Sequence, residues 1–303
     1  METILSIHGL SKRYGRIQAV NNLSIEIKKG QVFGILGPNG SGKTTTLSTV
    51  LSLVSADTGS FEWFGNPPCK ENLKRIGSVI ESPNFFPYLT AFQNLQIVAQ
   101  IRGIQENKID EVLQATALYD RRNSYFRTFS FGMKQRLAVA SALLGDPDVM
   151  ILDEPTNGLD PQGIAGIREI ILAVAAKGIT IILASHLLDE VQKICSHVAV
   201  LNKGNLLFSG KVSDVLVVSD SFELASHNIP ELVKILSLHP KFDRVEENTE
   251  TVVAHFKEHV NPGELNSFFF EKGMTLSHLC ERKRTLEQHF LELLAENQHD
   301  QTA

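Results

Sequence analysis

Cysteines are few in this sequence and lie far apart. Cys69, Cys195 and Cys280 are the three among 303 residues, and no two of them have the CxxC spacing of a metal site or a redox motif. This pattern excludes a small domain held together by disulfides and is typical of a reducing compartment. Hydrophobic residues make up 43% and charged residues 21% of the chain, so we expect neither extensive disorder nor a fibrous repeat.

Long hydrophobic runs are also missing. A membrane-spanning helix requires about 20 consecutive apolar residues, whereas the apolar stretch 170–176 ends at Lys177 and the stretch 179–184 ends at Ser185. The N-terminus has neither the basic start nor the apolar core of a signal peptide. We therefore expect that the chain does not cross a membrane by itself, and that another polypeptide supplies the membrane part of any membrane process it serves.

The chain also lacks an excess of basic residues. The chain has 29 lysines and arginines against 34 acidic residues, a formal net charge of −5. Domains dedicated to nucleic acid are usually basic, so we expect no nucleic-acid partner. The length of 303 residues allows two domains, or one domain with an appendage, at roughly 100–200 residues per domain.

The most informative segment that is present is rich in glycine. Residues 37–44 read GPNGSGKT, which matches the phosphate-loop pattern GxxxxGK[ST] in full. The segment follows the apolar run 32–36 and precedes a stretch that suits a helix, 45–53, and this is the order that a phosphate loop requires. Such a loop directs backbone N–H groups at phosphate oxygens. In this pattern Lys43 reaches the β- and γ-phosphates and Thr44 ligates Mg²⁺.

Two acidic residues form a second candidate site. Asp153 and Glu154 follow the apolar run 149–152, and a phosphate-loop enzyme needs an acidic residue at the end of a neighbouring strand to organise Mg²⁺. Glu154 is the candidate general base that orients and deprotonates an attacking water. Taken alone, the pair would suit a solvated turn or an acidic helix cap equally well, but the phosphate loop favours the catalytic interpretation.

The hydrophobic pattern predicts an α/β fold with a second, smaller part. Residues 1–30 alternate as in a β hairpin, 85–146 is typical of helices, and apolar strands that alternate with helices predict a largely parallel sheet. After Gly210 the order of predicted elements is βαββαβ, the ferredoxin-like pattern. The strands predicted in this part cover 221–225, 243–247, 251–256 and 275–280, and its helices cover 230–238, 262–272 and 286–296.

Further motifs complete the pattern. FSFGMKQR occupies 129–136, NGLD occupies 157–160, and His186 follows the strand predicted over 179–184. In this order the set resembles the ATP-binding-cassette (ABC) ATPase family over about residues 1–215. Residues 37–44 resemble its Walker A motif, 130–133 its LSGGQ-type signature, 149–154 its Walker B motif, 157–160 its D-loop and His186 its switch histidine, while Tyr14 stands where the family stacks an aromatic ring on adenine.

The resemblance implies a fold and a mechanism. The fold is a P-loop NTPase cassette over 1–215, with a mixed sheet, an antiparallel β region and a helical subdomain at about 85–146, followed by an accessory α+β domain over 216–303. Two copies would pair head to tail as a homodimer, with each ATP between the Walker A motif of one copy and the signature of the other. Glu154 would act as general base, His186 would sense the γ-phosphate, and Lys43 would complete the catalytic set.

The resemblance also implies which residues hold ATP and Mg²⁺. Three assigned residues have ordinary alternatives: Tyr14 can be an edge-strand aromatic, His186 can cap the helix predicted after it, and Ser130 can be an N-cap, alone or in addition. The Mg²⁺ ligands would be Thr44, Asp153 and Glu81. The ATP-binding residues would be Tyr14, Gly37, Pro38, Asn39, Gly40, Ser41, Gly42, Lys43, Thr44, Thr45, Ser130, Gly132 and Asp160.

The sequence departs from the family pattern in two places. Phe131 and Met133 replace a usual glycine and the usual glutamine of the signature, and Glu81 replaces the usual Q-loop glutamine. A carboxylate can ligate Mg²⁺ more strongly than an amide, but it adds negative charge beside a triphosphate. Glu81 in its Ile-Glu-Ser-Pro context, together with 160–164, resembles the cassettes of bacitracin- and lantibiotic-type export or immunity systems.

The function that the resemblance implies is the ATP-hydrolysing subunit of an ABC exporter. It would lie in the cytoplasm, peripheral on the inner face of the cell membrane, beneath separate transmembrane permease subunits. Phe85, Phe86 and Tyr88 are expected to be exposed and to dock those subunits, unless they pack internally. The cargo could be a peptide antibiotic, another drug or a lipid. The alternative is a regulatory or soluble ABC ATPase that is not engaged in transport.

Overall fold

The structure is a computed structural model that describes residues 2–81, 83–215, 221–248, 250–258 and 260–282, together with 286, 287 and 290. The chain divides between Val212 and Ser213 into two compact units. No helix among the described residues is long and apolar enough to cross a membrane. The helix predicted over 286–296 lies largely outside the described residues.

The first unit alternates strands and helices along the chain. Its strands are β1 (Thr3–Tyr14), β2 (Ile17–Lys28), β3 (Val32–Leu36), β4 (Thr58–Trp63), β5 (Ile76–Val79), β6 (Val149–Asp153), β7 (Thr180–Ser185), β8 (His197–Asn202) and β9 (Asn205–Lys211). Its helices are α1 (Lys43–Val50), α2 (Lys70–Lys74), α3 (Ala91–Arg102), α4 (Asn107–Ala115), α5 (Phe131–Leu143), α6 (Pro161–Ala175) and α7 (Leu188–Ile194), and α8 (Val212–Val215) follows β9.

Two sheets organise these elements. An antiparallel sheet has the strand order β2-β1-β4, and a second sheet has the order β5-β6-β7-β3-β8-β9. In the second sheet the strands from β5 to β8 run parallel, and β9 pairs antiparallel with β8. These sheets confirm the predicted α/β class, the mixed sheet and the antiparallel β region.

The central strands of the second sheet are buried and parallel, and this arrangement determines where the site can form. β3, β6 and β7 are buried along their whole length, as expected for parallel strands covered on both faces. Because β6, β7 and β3 are parallel neighbours, the segments after their carboxyl ends meet at one edge of the sheet. Those segments are the glycine-rich loop, the Asp153–Glu154 pair and His186.

The predicted helical region becomes helical at Ala91. Thr90 Oγ1 accepts a hydrogen bond from the Gln93 backbone N–H, and the Gln93 side chain accepts one from the Thr90 backbone N–H. This capping box fixes the start of α3. Residues 83–90 precede it without helix, so the region 85–146 opens with a short non-helical segment.

The second unit carries the smaller sheet. Its strand order is β11-β12-β10-β13, and each pairing is antiparallel. With the element order βαββαβ, this confirms the ferredoxin-like prediction. The bounds predicted for the last strand, 275–280, are wrong. The strand begins at His278 because His278 pairs with Ala225, the last residue of β10. The elements are β10 (Ser221–Ala225), α9 (Ile229–Leu236), β11 (Phe242–Glu247), β12 (Val252–Phe256), α10 (Pro262–Glu271) and β13 (His278–Glu281).

Candidate active site

The glycine-rich loop connects the buried strand β3 to helix α1. A Cβ atom on Gly37 would lie 2.2 Å from the carbonyl oxygen of Leu201, and one on Gly42 would lie 2.3 Å from that of Ala19. Both glycines also have positive φ angles, 154° and 106°, which residues with a side chain rarely adopt. The close packing therefore requires glycine at both positions, and α1 begins directly after the loop at Lys43.

Lys43 is almost completely buried beneath this loop. Its side chain is 5% exposed, and its Nζ donates hydrogen bonds to the carbonyl oxygens of Gly37 at 2.8 Å and Pro38 at 3.3 Å. Nζ also lies 3.3 Å from Oε1 of Glu154. A buried ammonium group is stable only with such partners, and these contacts join the loop to the carboxyl end of β6.

Thr44 and Asp153 make a second link between the same two elements. Thr44 Oγ1 donates a hydrogen bond of 2.7 Å to Asp153 Oδ2, whereas Asp153 Oδ1 is buried and has no hydrogen-bond partner among the described residues. Burial raises the pKa of the Asp153 carboxyl, and the charges of Glu154 and Glu81 act in the same direction. Hydroxyl and carboxylate oxygens are ligands that Mg²⁺ prefers, so this pair fits that ion.

Glu154 directly follows β6 and has a backbone conformation that favours glycine. Its φ is +47°, and its backbone N–H donates to the carbonyl oxygen of Ala184 at 3.0 Å. Its Oε2 lies 2.8 Å from His186 Nδ1, and since a carboxylate only accepts, the ring N–H is the donor. The carboxylate is thus held between His186 and Lys43. Strained backbone of this kind persists where neighbouring contacts enforce it, often at functional sites.

Two of the assigned residues lie further out. Glu81 follows β5, is exposed and has a φ of +61°, and its charge is the smallest of the contributions that raise the pKa of Asp153. Tyr14 ends β1 with its ring 47% exposed, and Lys12 Nζ lies 5.6 Å from the ring centre. β4 pairs with β1 from Leu5 to Ser11, so at Tyr14 the strand β1 pairs with β2.

Ser130, Gly132 and Asp160 come together in a different cleft. This cleft has a volume of about 500 Å³. On one side it is lined by Ser130 and the first turns of α5, and on the other by the segment 158–160 and the start of α6. Ser130 Oγ accepts a hydrogen bond from the Met133 backbone N–H at 3.3 Å, so this serine is the N-cap of α5. The signature and the D-loop are therefore neighbours within one chain.

The D-loop contains contacts that sequence reasoning missed. Asp160 Oδ1 accepts a hydrogen bond of 2.9 Å from the Gly163 backbone N–H and is the N-cap of α6. The available signal was an aspartate directly before Pro161, the usual start of a helix. The Phe131 ring lies against Gly158, where a Cβ atom would approach it to 3.3 Å. The residue that departs from the signature pattern thus contacts the D-loop of its own chain.

The segment before α3 carries the aromatic residues that were expected to be exposed. Phe86 and Tyr88 are 48% and 64% exposed. The expectation is wrong for Phe85, which is half-buried because its ring packs edge-on against the largely buried Phe126, with 5.3 Å between ring centres. A groove of about 320 Å³ runs between this segment, α3 and α5, and Phe86 and Ile97 are among its lining residues.

Comparison with known proteins identifies the family. The sequence profile described as ABC transporter matches residues 20–157. The bacitracin transport ATP-binding protein BcrA of Bacillus licheniformis is 37% identical over 302 residues, which cover 97% of this chain and 98% of that protein. The chain belongs to the ABC transporter ATP-binding protein family. As a member of this family it binds ATP and hydrolyses it.

Further relatives agree with this assignment. The lantibiotic transport ATP-binding protein SrtF of Streptococcus pyogenes is 38% identical over 204 residues, 67% of this chain and 89% of that protein. The solved structure of cbiO1 from Clostridium perfringens, part of the ABC transporter complex cbiONQ, has a TM-score of 0.66 at 27% identity and covers 79% of this chain and 96% of its own. The predicted cassette fold, the ATPase activity and the resemblance to the bacitracin and lantibiotic subgroup are confirmed.

Proposed function

We propose that this ABC ATPase powers an exporter, in which two copies pair head to tail around ATP and drive separate transmembrane permease subunits. The observation that carries the proposal is the cluster at one edge of the parallel sheet, where Lys43, Thr44, Asp153, Glu154 and His186 are joined by direct contacts. We assign the nucleotide-binding domain to 1–215, its helical subdomain to about 85–146, and the accessory domain to 216–303.

Each member of this cluster has a distinct task in the proposal. The loop 37–45 binds the phosphates through its N–H groups, and Lys43 adds a positive charge beside them. Glu154 takes a proton from the attacking water, which requires a carboxylate in a fixed position. The contact of 2.8 Å with His186 supplies that position. Tyr14, exposed at the end of β1, offers a ring face for adenine.

Mg²⁺ binding is proposed at Asp153 and Thr44, with Glu81 as the third candidate. The buried Oδ1 of Asp153, which lacks a hydrogen-bond partner within the described part of the chain, suits a cation. Burial also raises the pKa of this carboxyl, because it disfavours the negative charge. When bound there, Mg²⁺ would neutralise charge on the phosphates of ATP.

The head-to-tail pairing is supported by two clusters that form on different elements of the chain. The cleft that contains Ser130, Gly132 and Asp160 is formed by α5, 158–160 and α6, whereas the Lys43 cluster is formed at the ends of β3, β6 and β7. In this proposal a second copy brings its signature to the phosphates of ATP. Nucleotide between two copies would hold them together until hydrolysis.

The names of the relatives support a proposal for the cargo and the location. The names of BcrA and SrtF refer to bacitracin and lantibiotic transport, and the first of these matches this chain over nearly its whole length. We propose a peptide antibiotic as the cargo, and export or self-protection as the biological role. The chain would then lie on the cytoplasmic face of the membrane, held there by its permease subunits.

Docking to those subunits is assigned to Phe86 and Tyr88 beside the groove at α3 and α5. Exposed aromatic rings next to a groove provide large contact areas in protein interfaces. The variant with both Phe86→Ala and Tyr88→Ala should bind ATP normally but lose membrane association. Membrane fractions from cells that co-express candidate permease subunits, probed for this chain, give the measurement.

A matched control comes from the second unit. Phe270 is 76% exposed and lies on α10, so Phe270→Ala removes an exposed ring outside the proposed docking surface and should leave membrane association unchanged. Equal association of the double variant and the unmodified chain would contradict the docking assignment. No membrane association of the unmodified chain with any permease would instead support an ABC ATPase that is not engaged in transport.

A further inference from the structure

An ion pair joins helices α6 and α7 outside the cluster described above. Arg168 Nη1 lies 3.0 Å from Oε1 and 2.8 Å from Oε2 of Glu190. Both side chains are largely shielded from water, with exposed fractions of 28% and 14%. An ion pair in such surroundings is less screened than one on the open surface, so it can fix the relative position of its two helices.

The two helices lead directly to residues of the site. α6 begins at its N-cap Asp160 in the D-loop, and Arg168 lies in the middle of this helix. α7 begins at Leu188, two residues after His186, and Glu190 lies in its first turn. The ion pair therefore connects the helix that follows the D-loop with the helix that follows His186.

His186 lies just before α7 along the chain, and its side chain contacts Glu154. His186 is 36% exposed, and it is separated from α7 by Leu187 alone. On its other side the chain leaves the buried strand β7 at Ser185, whose Oγ accepts a hydrogen bond from the Leu187 backbone N–H at 3.0 Å. A shift of the first turn of α7 would be transmitted through one residue to the contact between His186 and Glu154.

We propose that Arg168 and Glu190 are positioning residues that keep His186 in contact with Glu154. This inference rests on the role proposed for His186 in hydrolysis. It adds a physical connection between the D-loop helix and the catalytic carboxylate within one chain. The pair acts through His186 and is not itself a part of the reacting centre.

The first test separates positioning from binding. Arg168→Ala should lower kcat on the order of tenfold, since misplacing a group near the reaction by about 1 Å can cost up to about 10²-fold. The KM and Kd for ATP should change less than about twofold, because Lys43 and the loop lie on other elements. Lys193→Ala is the matched control: Lys193 Nζ also pairs with Glu190, at 3.0 Å, but is exposed and on the same helix. It should leave kcat unchanged.

The second test is a double-mutant cycle with His186. If Arg168 acts through His186, Arg168→Ala should have little further effect in a His186→Ala background, because the contact that it supports is already absent. A general structural defect would lower kcat by the same factor in both backgrounds and would overturn the inference. Exchanging the charges, Arg168→Glu with Glu190→Arg, should restore part of the lost kcat, which loss of packing alone would not explain.

The outcomes also distinguish this inference from the proposed function. Full turnover in the His186→Ala variant would overturn the role proposed for His186, and this inference with it. Reduced turnover in that variant, with an unchanged kcat in Arg168→Ala, would overturn the inference alone. If the thermal unfolding midpoint of Arg168→Ala shows that this variant does not fold, Glu190→Gln makes the same test. This change removes the charge of the side chain and keeps its size.

Discussion

Replacing Glu154 with glutamine should leave ATP binding intact and slow hydrolysis by about 10²–10⁴-fold, the usual contribution of a general base. The side chains have the same shape, so the amide can still fill the space between Lys43 and His186. It cannot accept the proton of an attacking water. The expected result is a large loss of kcat with little change in the Kd for ATP, measured by phosphate release and by equilibrium binding.

A control for this variant is available on the surface of α6. Glu169 is exposed, so Glu169→Gln makes the same chemical change away from the cluster and should keep full turnover. Unchanged turnover in Glu154→Gln would contradict the assignment of the base. Loss of ATP binding together with turnover would mean that this carboxylate serves the fold of the site rather than the proton transfer.

Replacing Lys43 with alanine should lower turnover strongly by weakening the binding of the phosphates themselves. Lys43 supplies the buried ammonium group of the loop, with its Nζ 2.8 Å from the carbonyl oxygen of Gly37 and 3.3 Å from Glu154. Its removal takes away a positive charge beside the proposed phosphate position and leaves Glu154 without that partner. The loss should be on the order of 10²-fold or more, as for other donors that stabilise developing charge.

Thermal unfolding distinguishes lost binding from lost folding in this variant. A ligand that binds only the folded chain raises the unfolding midpoint, and the rise grows with the ratio of the ligand concentration to its Kd. ATP should raise the midpoint of the unmodified chain and of Lys177→Ala, an exposed lysine after α6, but not that of Lys43→Ala. An ATP-dependent rise of normal size in Lys43→Ala would contradict the phosphate-loop assignment.

The parts of the site that the sequence predicts are those encoded by continuous segments. Residues 37–44 carry their own spacing of glycines, and Asp153 follows an apolar run that can only be a buried strand or a short helix. Since parallel strands end at the same edge, the meeting of Lys43 with Glu154 follows once β3 and β6 are recognised. The βαββαβ order of the second unit was likewise readable from alternating apolar segments.

The remaining features depend on contacts between distant positions. Phe85 turns inward because Phe126 offers it an apolar surface, and nothing in the spacing of Phe85, Phe86 and Tyr88 separates one ring from the others. The positive φ of Glu154 accompanies a hydrogen bond from its backbone N–H to Ala184 on the neighbouring strand β7. Arg168 and Glu190 are 22 residues apart, so their pairing appears only when α6 and α7 are placed.

The most direct test concerns the position of ATP between two copies. Cross-linking at introduced cysteines is practical because the chain has few cysteines of its own, three in total. Cys69 and Cys280 are exposed and can be replaced by serine, while Cys195 is buried, which raises the pKa of its thiol and makes it unreactive. One copy then carries Asn39→Cys in the phosphate loop and the other, with a different tag, carries Phe131→Cys in the signature. Both positions are exposed.

With Glu154→Gln in both copies to slow hydrolysis, ATP and a short bifunctional maleimide should link the two differently tagged chains. Omission of ATP should remove most of this product, and the Asn39→Cys copy alone should not form it. This result is expected if each ATP lies between the phosphate loop of one copy and the signature of the other. Cross-linking that is independent of ATP, or its absence while ATP is bound, would contradict the account.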